Sequence, residues 1–348
     1  MMVMKTGLLE IDGSYGEGGG QILRTALSLS CITGTPLRLY NIRKGRGRPG
    51  LMPQHLTCVN AIAEVSGARV TGNETGSTEL MFIPEGIRPG EYSFDIKTAG
   101  SCTLVFQTLL PPLLFAGGES TVSITGGTHV PFSPPYHYIS EVFIPMLRRL
   151  GIHIEADIDR YGFYPKGGGH VRFRVTPVRE IQAPDLTHRG RLRRIKGYSC
   201  VGRLPVSIAL RQRDSLIREI QPLSPEVEIL DVPSGGEGTF VFLKAEYEGS
   251  IAGFSSLGMR GKRAEEVGAE AVREFKRFED TSACLDPHLA DQIVIYLALA
   301  HRDSSFTTSC ITRHLTTNLH VIEKFIPLRY RIEGDIKAEG MVILEFKD

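Results

Sequence analysis

The sequence predicts an α/β protein of three repeated β-α-β-α-β-β units forming one large trilobed domain, with a small α+β domain inserted into the third. Three observations predict it. Short runs rich in β-branched and aromatic residues alternate with stretches whose apolar residues recur at helical spacing. The order strand, helix, strand, helix, strand, strand returns at intervals of about 90 residues. A stretch at 185–279 follows a different order, which marks an insertion. The large domain is therefore expected at 1–184 and 280–348, with repeats at about 1–88, 89–184 and 280–348, and the inserted domain at 185–279.

In the first repeat, Leu8 to Asp12 reads as a strand, followed by the loop G-S-Y-G-E-G-G-G (13–20) and a helix over Gln21 to Ile32 ended by Gly34. A glycine-rich loop feeding a helix presents free N–H groups with no Cβ to block an anion. Glu17 in that loop suits a capping acid or, beside phosphate, a carboxylate bridged by a metal. Arg24 stands one turn into the helix. A strand over 36–42 leads into G-R-G-R-P-G (45–50), then a helix over Gln54 to Ser66 and strands at 68–71 and 79–83. The G-x-G-x-x-G spacing is not a dinucleotide fingerprint, because arginines and a proline fill it and Pro53 restarts the helix later.

The second repeat has a strand at 92–97, an apolar helix at 101–115 carrying the single polar side chain Gln107, and a strand at 120–125. A proline-rich loop (131–135), a helix at 136–150 and strands at 152–158 and 170–176 follow. The inserted stretch reads as a strand (193–200), a helix (206–220), three strands (226–231, 239–245, 250–256) and a helix (263–278). The third repeat shows a helix at 287–300, a strand at 304–308, a helix at 314–325 and strands at 328–332 and 341–346; its first strand has no visible counterpart.

At 348 residues with a net charge of +1, the chain carries no global electrostatic argument for nucleic acid. Charge is local instead, in R-K-G-R-G-R (43–48) and in the cluster Arg189, Arg191, Arg193, Arg194 and Lys196. No apolar run approaches the roughly 20 residues of a membrane span, and M-M-V-M-K-T-G lacks a leader's apolar region. Six scattered cysteines without C-x-x-C spacing predict neither zinc nor disulfides, so a reduced, cytoplasmic setting is expected.

Two further segments carry polar groups on apolar helices. D-P-H-L-A-D-Q (286–292) starts a helix that is otherwise apolar all round, so His288, Asp291 and Gln292 mark its accessible end. There a carboxylate and an amide suit ribose hydroxyls or a base edge. S-C-I-T-R-H-L-T-T-N (309–318) opens the last helix, with His314 in its first turn and Asn318 one turn on. Local spacing leaves His314 as a capping residue or as a nucleophile or base.

Taken together, G-x-Y-G-E-G-G-G-Q-I-L-R (13–24), N-I-R-x-G-R-x-x-P-G-L-M-P-Q-H (41–55), G-S-C-T-L-V-F-Q (100–107), Y-P-K-G-G-G-H (164–170), H-L-A-D-Q (288–292) and R-H-L-T-T-N (313–318) resemble the RNA 3′-terminal phosphate cyclases from the first strand to the last. One departure is Tyr161, where the family usually has Arg or His before Gly162. The resemblance implies repeats like the C-terminal domain of a bacterial translation initiation factor. It also implies ATP and Mg²⁺ or Mn²⁺ as cofactors, and RNA with a 3′-terminal phosphate as substrate. The implied reaction passes through an enzyme–AMP phosphoramidate and an RNA(3′)pp(5′)A anhydride to a 2′,3′-cyclic phosphate. By resemblance His314 is the adenylylated histidine. Gln107, His288, Leu289, Ala290, Asp291 and Gln292 are ATP contacts, and Glu17 holds the metal. Arg24, Arg43, Arg46, Gln54 and His55 surround the phosphates of ATP or of the RNA end.

Two alternatives stand beside this. The family includes a ribosomal-RNA processing factor that has lost the histidine, against which His314, Glu17, Arg24 and Asp291 all argue. Enolpyruvyl transferases repeat a related unit but would lack an ATP site.

Overall fold

The computed structural model describes residues 7–346. The expectation of no leader falls on residues 1–6 and lies outside the described residues. The first unit runs β1 (Leu9–Asp12), α1 (Gly20–Thr33), β2 (Leu37–Tyr40), α2 (Pro53–Ser66), β3 (Arg69–Thr71) and β4 (Leu80–Ile83). Its sheet order is β1-β2-β4-β3, with β1 and β2 parallel and the other pairs antiparallel. Gly34 ends α1 in the left-handed region, φ 65°, which a glycine adopts without Cβ strain.

The second unit repeats that path. It runs β5 (Glu91–Asp95), α3 (Cys102–Leu113), β6 (Ser120–Gly126), then α4 (Tyr136–Tyr138), a π-helical turn (Ile139–Phe143), α5 (Ile144–Arg149), β7 (Ile154–Arg160) and β8 (Gly169–Val175). Sheet order β5-β6-β8-β7 matches the first sheet strand for strand. The helix expected at 136–150 is thus interrupted. Pro145, which has no N–H and crowds the carbonyl four residues back, stands just after the π turn.

Next come β9 (Leu192–Gly202), α6 (Val206–Glu219), β10 (Glu226–Asp231), β11 (Gly238–Tyr247), β12 (Ile251–Leu257) and α7 (Ala264–Glu279). They form a sheet ordered β10-β9-β11-β12, backed by a separate apolar cluster that includes Leu216, Val241, Phe254 and Phe275. The chain then continues through α8 (Pro287–Leu299), β13 (Ser304–Thr308), α9 (Arg313–Phe325), β14 (Leu328–Glu333) and β15 (Gly340–Phe346).

The last sheet has three strands, β13-β15-β14, and the missing first strand has a physical explanation. Its place beside β13 is taken by two isolated parallel bridges, Leu186 to Phe306 and Leu285 to Thr308, from either side of residues 192–279. No strand develops at Leu186. Pro184 has no N–H to give, and the Asp185 carboxylate accepts from Thr187 N (2.9 Å) and Oγ1 (2.6 Å), closing a local turn.

Helices α1, α2, α3, α8 and α9 pack on one another inside one large apolar cluster, while strand β8 alternates buried residues with more exposed ones. No helix among the described residues is long and apolar enough to cross a membrane.

Candidate active site

The glycine loop is shaped by close approaches. Gly16 has φ +59°, and a Cβ there would lie 2.4 Å from Thr317 Oγ1 on α9. A Cβ on Gly19 would meet the Glu17 carboxylate, and one on Gly20 would meet His55 Nε2 at 2.5 Å and Arg24 Nη1 at 2.8 Å. The glycines thus let an acid, a histidine and an arginine crowd the N-terminus of α1, whose cap has no side-chain bond. Glu17 N donates to Thr317 Oγ1 (3.1 Å), pinning the loop to α9.

From the arginine loop, Arg46 donates to the Glu17 carboxylate and to its carbonyl oxygen (2.9 Å). Arg43, itself at φ 53°, donates to Arg48 O (2.7 Å) and Gly50 O (3.0 Å) and so braces the loop. Arg24 is buried with Gln21 Oε1 (2.8 Å) as its hydrogen-bond partner and no carboxylate partner among the described residues, and burial disfavours its charge. A buried unpaired guanidinium facing a cleft is a standing demand for an anion.

At the start of α2, His55 Nδ1 accepts from Met52 N (3.2 Å), so the neutral ring carries its proton on Nε2, towards Gly20 and Arg24. Burial, with Arg24 and Arg43 nearby, pushes His55 down to about 3. Gln54 commits its oxygen to Ser101 N (2.8 Å) at the cap of α3.

Helices α8 and α9 meet side by side. Asp286, the α8 N-cap, accepts from His288 N (2.9 Å), Leu289 N (3.0 Å), Tyr138 Oη (2.8 Å) and Gly253 N (3.2 Å), joining the second unit, β12 and α8. Thr312, the α9 N-cap, accepts from Leu315 N (2.9 Å) and donates to Asp291 Oδ1. Burial pushes the Asp291 carboxyl up to about 8, despite the Thr312 bond and aided by Asp286. Gln107 donates to Gln292 Oε1, and Gln292 returns an N–H to His288 O (2.8 Å). The Gln107 side chain of α3 therefore reaches the accessible end of α8.

Asn318 accepts from Gln21 Nε2 (2.9 Å) and Thr25 Oγ1 (2.7 Å) and donates to Asp291 O (2.7 Å), locking α9 to α1 and α8. His314, on that clamped helix, keeps 48% of its side chain exposed, with Nδ1 3.7 Å from Glu17 Oε2. Desolvation, then Arg24, Arg46 and His288, push it down to about 4, so the imidazole is neutral at pH 7.

One cleft of about 800 Å³ is lined by Glu17, Arg24, Arg43, Arg46, Gln54, His55, Gln107, His288, Asp291, Gln292 and His314. Leu289 and Ala290 do not line it; both are fully buried on the core side of α8, so their side chains serve packing. The cleft also takes in residues with no motif to announce them: Phe132, fully exposed at φ 62°, Tyr138, and Ser255 and Leu257 from β12. Arg189 lies elsewhere. It is half-buried against the Tyr247 and Phe278 rings and donates to Phe278 O (2.9 Å) and Glu279 O (3.2 Å). Arg193 and Arg194 are paired with Glu248 and Glu226. Much of the expected second basic cluster is thus neutralised by its own neighbours.

Among the described residues, no group of three or more His, Cys, Asp or Glu side chains can hold a metal ion. Glu17 Oε2 is nevertheless a buried carboxylate oxygen without a hydrogen-bond partner. One protein carboxylate suits a hard cation that takes its other ligands from water and substrate phosphates, as Mg²⁺ does.

A family model described as RNA 3′-terminal phosphate cyclase matches residues 15–332. A protein of that name from Methylococcus capsulatus is 46% identical over 330 residues, covering 91% of each chain. Another from Ignicoccus hospitalis is 42% identical over 338 residues, covering 94% of this chain and 96% of its own. The solved enolpyruvyl transferase NikO from Streptomyces tendae aligns with 97% of this chain and 48% of its own at 9% identity and a TM-score of 0.35, a likeness too weak to bear on fold or function.

Proposed function

The chain belongs to the RNA 3′-terminal phosphate cyclase family, an ATP-dependent ligase family acting on RNA, and from that premise we propose that it converts an RNA 3′-terminal phosphate to a 2′,3′-cyclic phosphate through His314. In the first step an imidazole nitrogen of His314 attacks the α-phosphorus of ATP; the bond to the bridging oxygen breaks and pyrophosphate leaves. An oxygen of the RNA 3′-phosphate then displaces the imidazole, breaking the P–N bond and making RNA(3′)pp(5′)A. Finally the vicinal 2′-hydroxyl attacks the 3′-phosphorus, its proton is released, and AMP departs with the electron pair.

The observation that carries this reading is the neutral, half-exposed imidazole of His314, in one cleft with a buried, unpaired Arg24. A neutral imidazole has one nitrogen with a free lone pair, which needs no deprotonation before attack. In this reading Asp291 and the Gln107–Gln292 pair take the adenosine, and Arg24, Arg43, Arg46, Gln54 and His55 the phosphates of ATP or of the RNA end; their sharing one cleft supports it. Glu17 would hold Mg²⁺ or Mn²⁺, which when bound supplies charge neutralisation to the triphosphate.

The reading includes a division into a large domain (1–184 and 280–348) and an inserted domain (185–279), supported by the latter's separate apolar cluster. A cytoplasmic setting is part of it, supported by six free cysteines. The experiment compares matched oligoribonucleotides with ATP. The 3′-phosphorylated end should yield a 2′,3′-cyclic phosphate and the 3′-hydroxyl end none. Reaction of the hydroxyl end, or of neither, would refute the proposal.

A further inference from the structure

A second and larger groove, of about 1250 Å³, opens beside the cleft. It runs between the turn that carries Y-P-K-G-G-G and the helices and strands of 202–267. Pro131 and Leu257 line both spaces, so the two are continuous. Its volume exceeds the roughly 300–1,000 Å³ of ordinary small-ligand pockets.

The wall is built rather than loose. Tyr161 N donates to Pro233 O (2.8 Å) and Gly235 N to Tyr161 O (3.3 Å), tying the turn to the loop before β11. A Cβ on Gly235 would lie 3.0 Å from Gly167 O, and one on Gly236 3.0 Å from Lys166 Cβ. The departure at Tyr161 fits here: its ring is buried and stacks on His129, sealing the seam.

The charge of this groove is one-sided. Five lysines and arginines line it against one acid, Glu237. Arg211 and Lys262 are paired with Glu265 and Glu270. Lys166, Arg203 and Arg260 have no carboxylate partner among the described residues; Arg203 has a single weak bond, to Gly235 O at 3.4 Å. Exposed apolar side chains lie among them, Tyr164 at 68% and Met259 at 63%. Unpaired cations interleaved with an exposed ring are the recipe for a sequence-tolerant single-strand track, where phosphates meet charge and bases stack. In a chain of net charge +1 this is a local concentration, not a general basic surface.

We propose that this groove is the track for the single-stranded RNA upstream of the reacting end, with Lys166, Arg203 and Arg260 on its phosphates and Tyr164 under a base. The inference rests on the proposed cyclase reading, because a 3′ end seated at His314 must lead its chain out through a side open to the cleft.

The test measures binding of a labelled 3′-phosphorylated decanucleotide and dinucleotide to wild type and to Lys166→Ala/Arg203→Ala/Arg260→Ala, with cyclisation of both read in parallel. Decanucleotide affinity should fall on the order of tenfold, and the slope of log affinity against log salt should shrink by about 2, near 0.7 per lost phosphate contact. Dinucleotide binding and labelling of the protein by ATP should stay within about twofold, and a triple variant that keeps charge by Lys–Arg exchange should retain most affinity. Equal decanucleotide affinity in wild type and triple-Ala protein, or an equal loss on the dinucleotide, would overturn the track. A wild type that cyclises nothing yet loses decanucleotide affinity in the triple-Ala variant would overturn the cyclase reading and leave the track standing.

Discussion

The depressed pKa of His314 makes the pH dependence of its adenylylation the most informative perturbation. On the proposed reading the reacting form is the neutral imidazole, and protonation removes the attacking lone pair. A histidine at its ordinary 6.5 would be about nine-tenths protonated at pH 5.5 and the rate would drop about tenfold between pH 7.5 and 5.5; one titrating at about 4 would lose only a few per cent. The assay is the initial rate of protein labelling by α-labelled ATP, quenched in alkaline detergent because a phosphoramidate is labile to acid. Desolvation is the leading cause of the shift and Arg24 the second. In Arg24→Gln the midpoint should therefore rise while staying below 6.5, whatever happens to the maximal rate. A wild-type midpoint near 6.5 would refute the claim that the cleft keeps the nucleophile neutral.

Three further outcomes follow from burial and bonding. His55, His129 and His137 are all held below 6.5 by desolvation, with His137 at about 4. The unfolded chain then binds protons that the folded one does not, so stability is full above about 6.5 and is lost as pH falls below it, by about 1.4 kcal/mol per pH unit for each group. Denaturant unfolding at pH 6.5 and 5.5 should show that slope reduced by one proton in His137→Gln, and an unchanged slope would contradict the assignment. Arg189→Ala should cost about 2 kcal/mol in unfolding free energy, from lost carbonyl bonds and a partly exposed ion pair with Glu279, without changing RNA affinity; weaker RNA binding would return this arginine to the interface. Asn318→Ala strands the Gln21 and Thr25 donors and the Asp291 carbonyl, which predicts a loss of about 2 kcal/mol. It should also slow labelling without moving its pH midpoint; a shifted midpoint would mean contact with the imidazole.

The repeat was legible because β-α-β-α-β-β patterning depends on local periodicity, and the observed helices and strands fall within a few residues of the expected ones. The first strand of the third unit was not, since single-residue bridges at Leu186 and Leu285, split by the intervening stretch, leave no alternating run to read. Motifs marked Glu17, Arg24, Asp291 and His314, and these do share a cleft. Partners were hidden. Charge at Arg189 says nothing of Tyr247, Phe278 and Glu279 around it, and Asn318 sits on the face of His314 in sequence yet bonds Gln21, Thr25 and Asp291. Phe132, Ser255 and Leu257 come from segments with no motif, and tertiary packing alone brings them to the cleft.

The central claim is that His314 carries the AMP. Incubation with α-labelled ATP and Mg²⁺ or Mn²⁺ should trap acid-labile label on the wild-type chain, at a peptide containing residue 314, and none on His314→Ala. Equal labelling of the two proteins, or label on any other residue, would contradict the account.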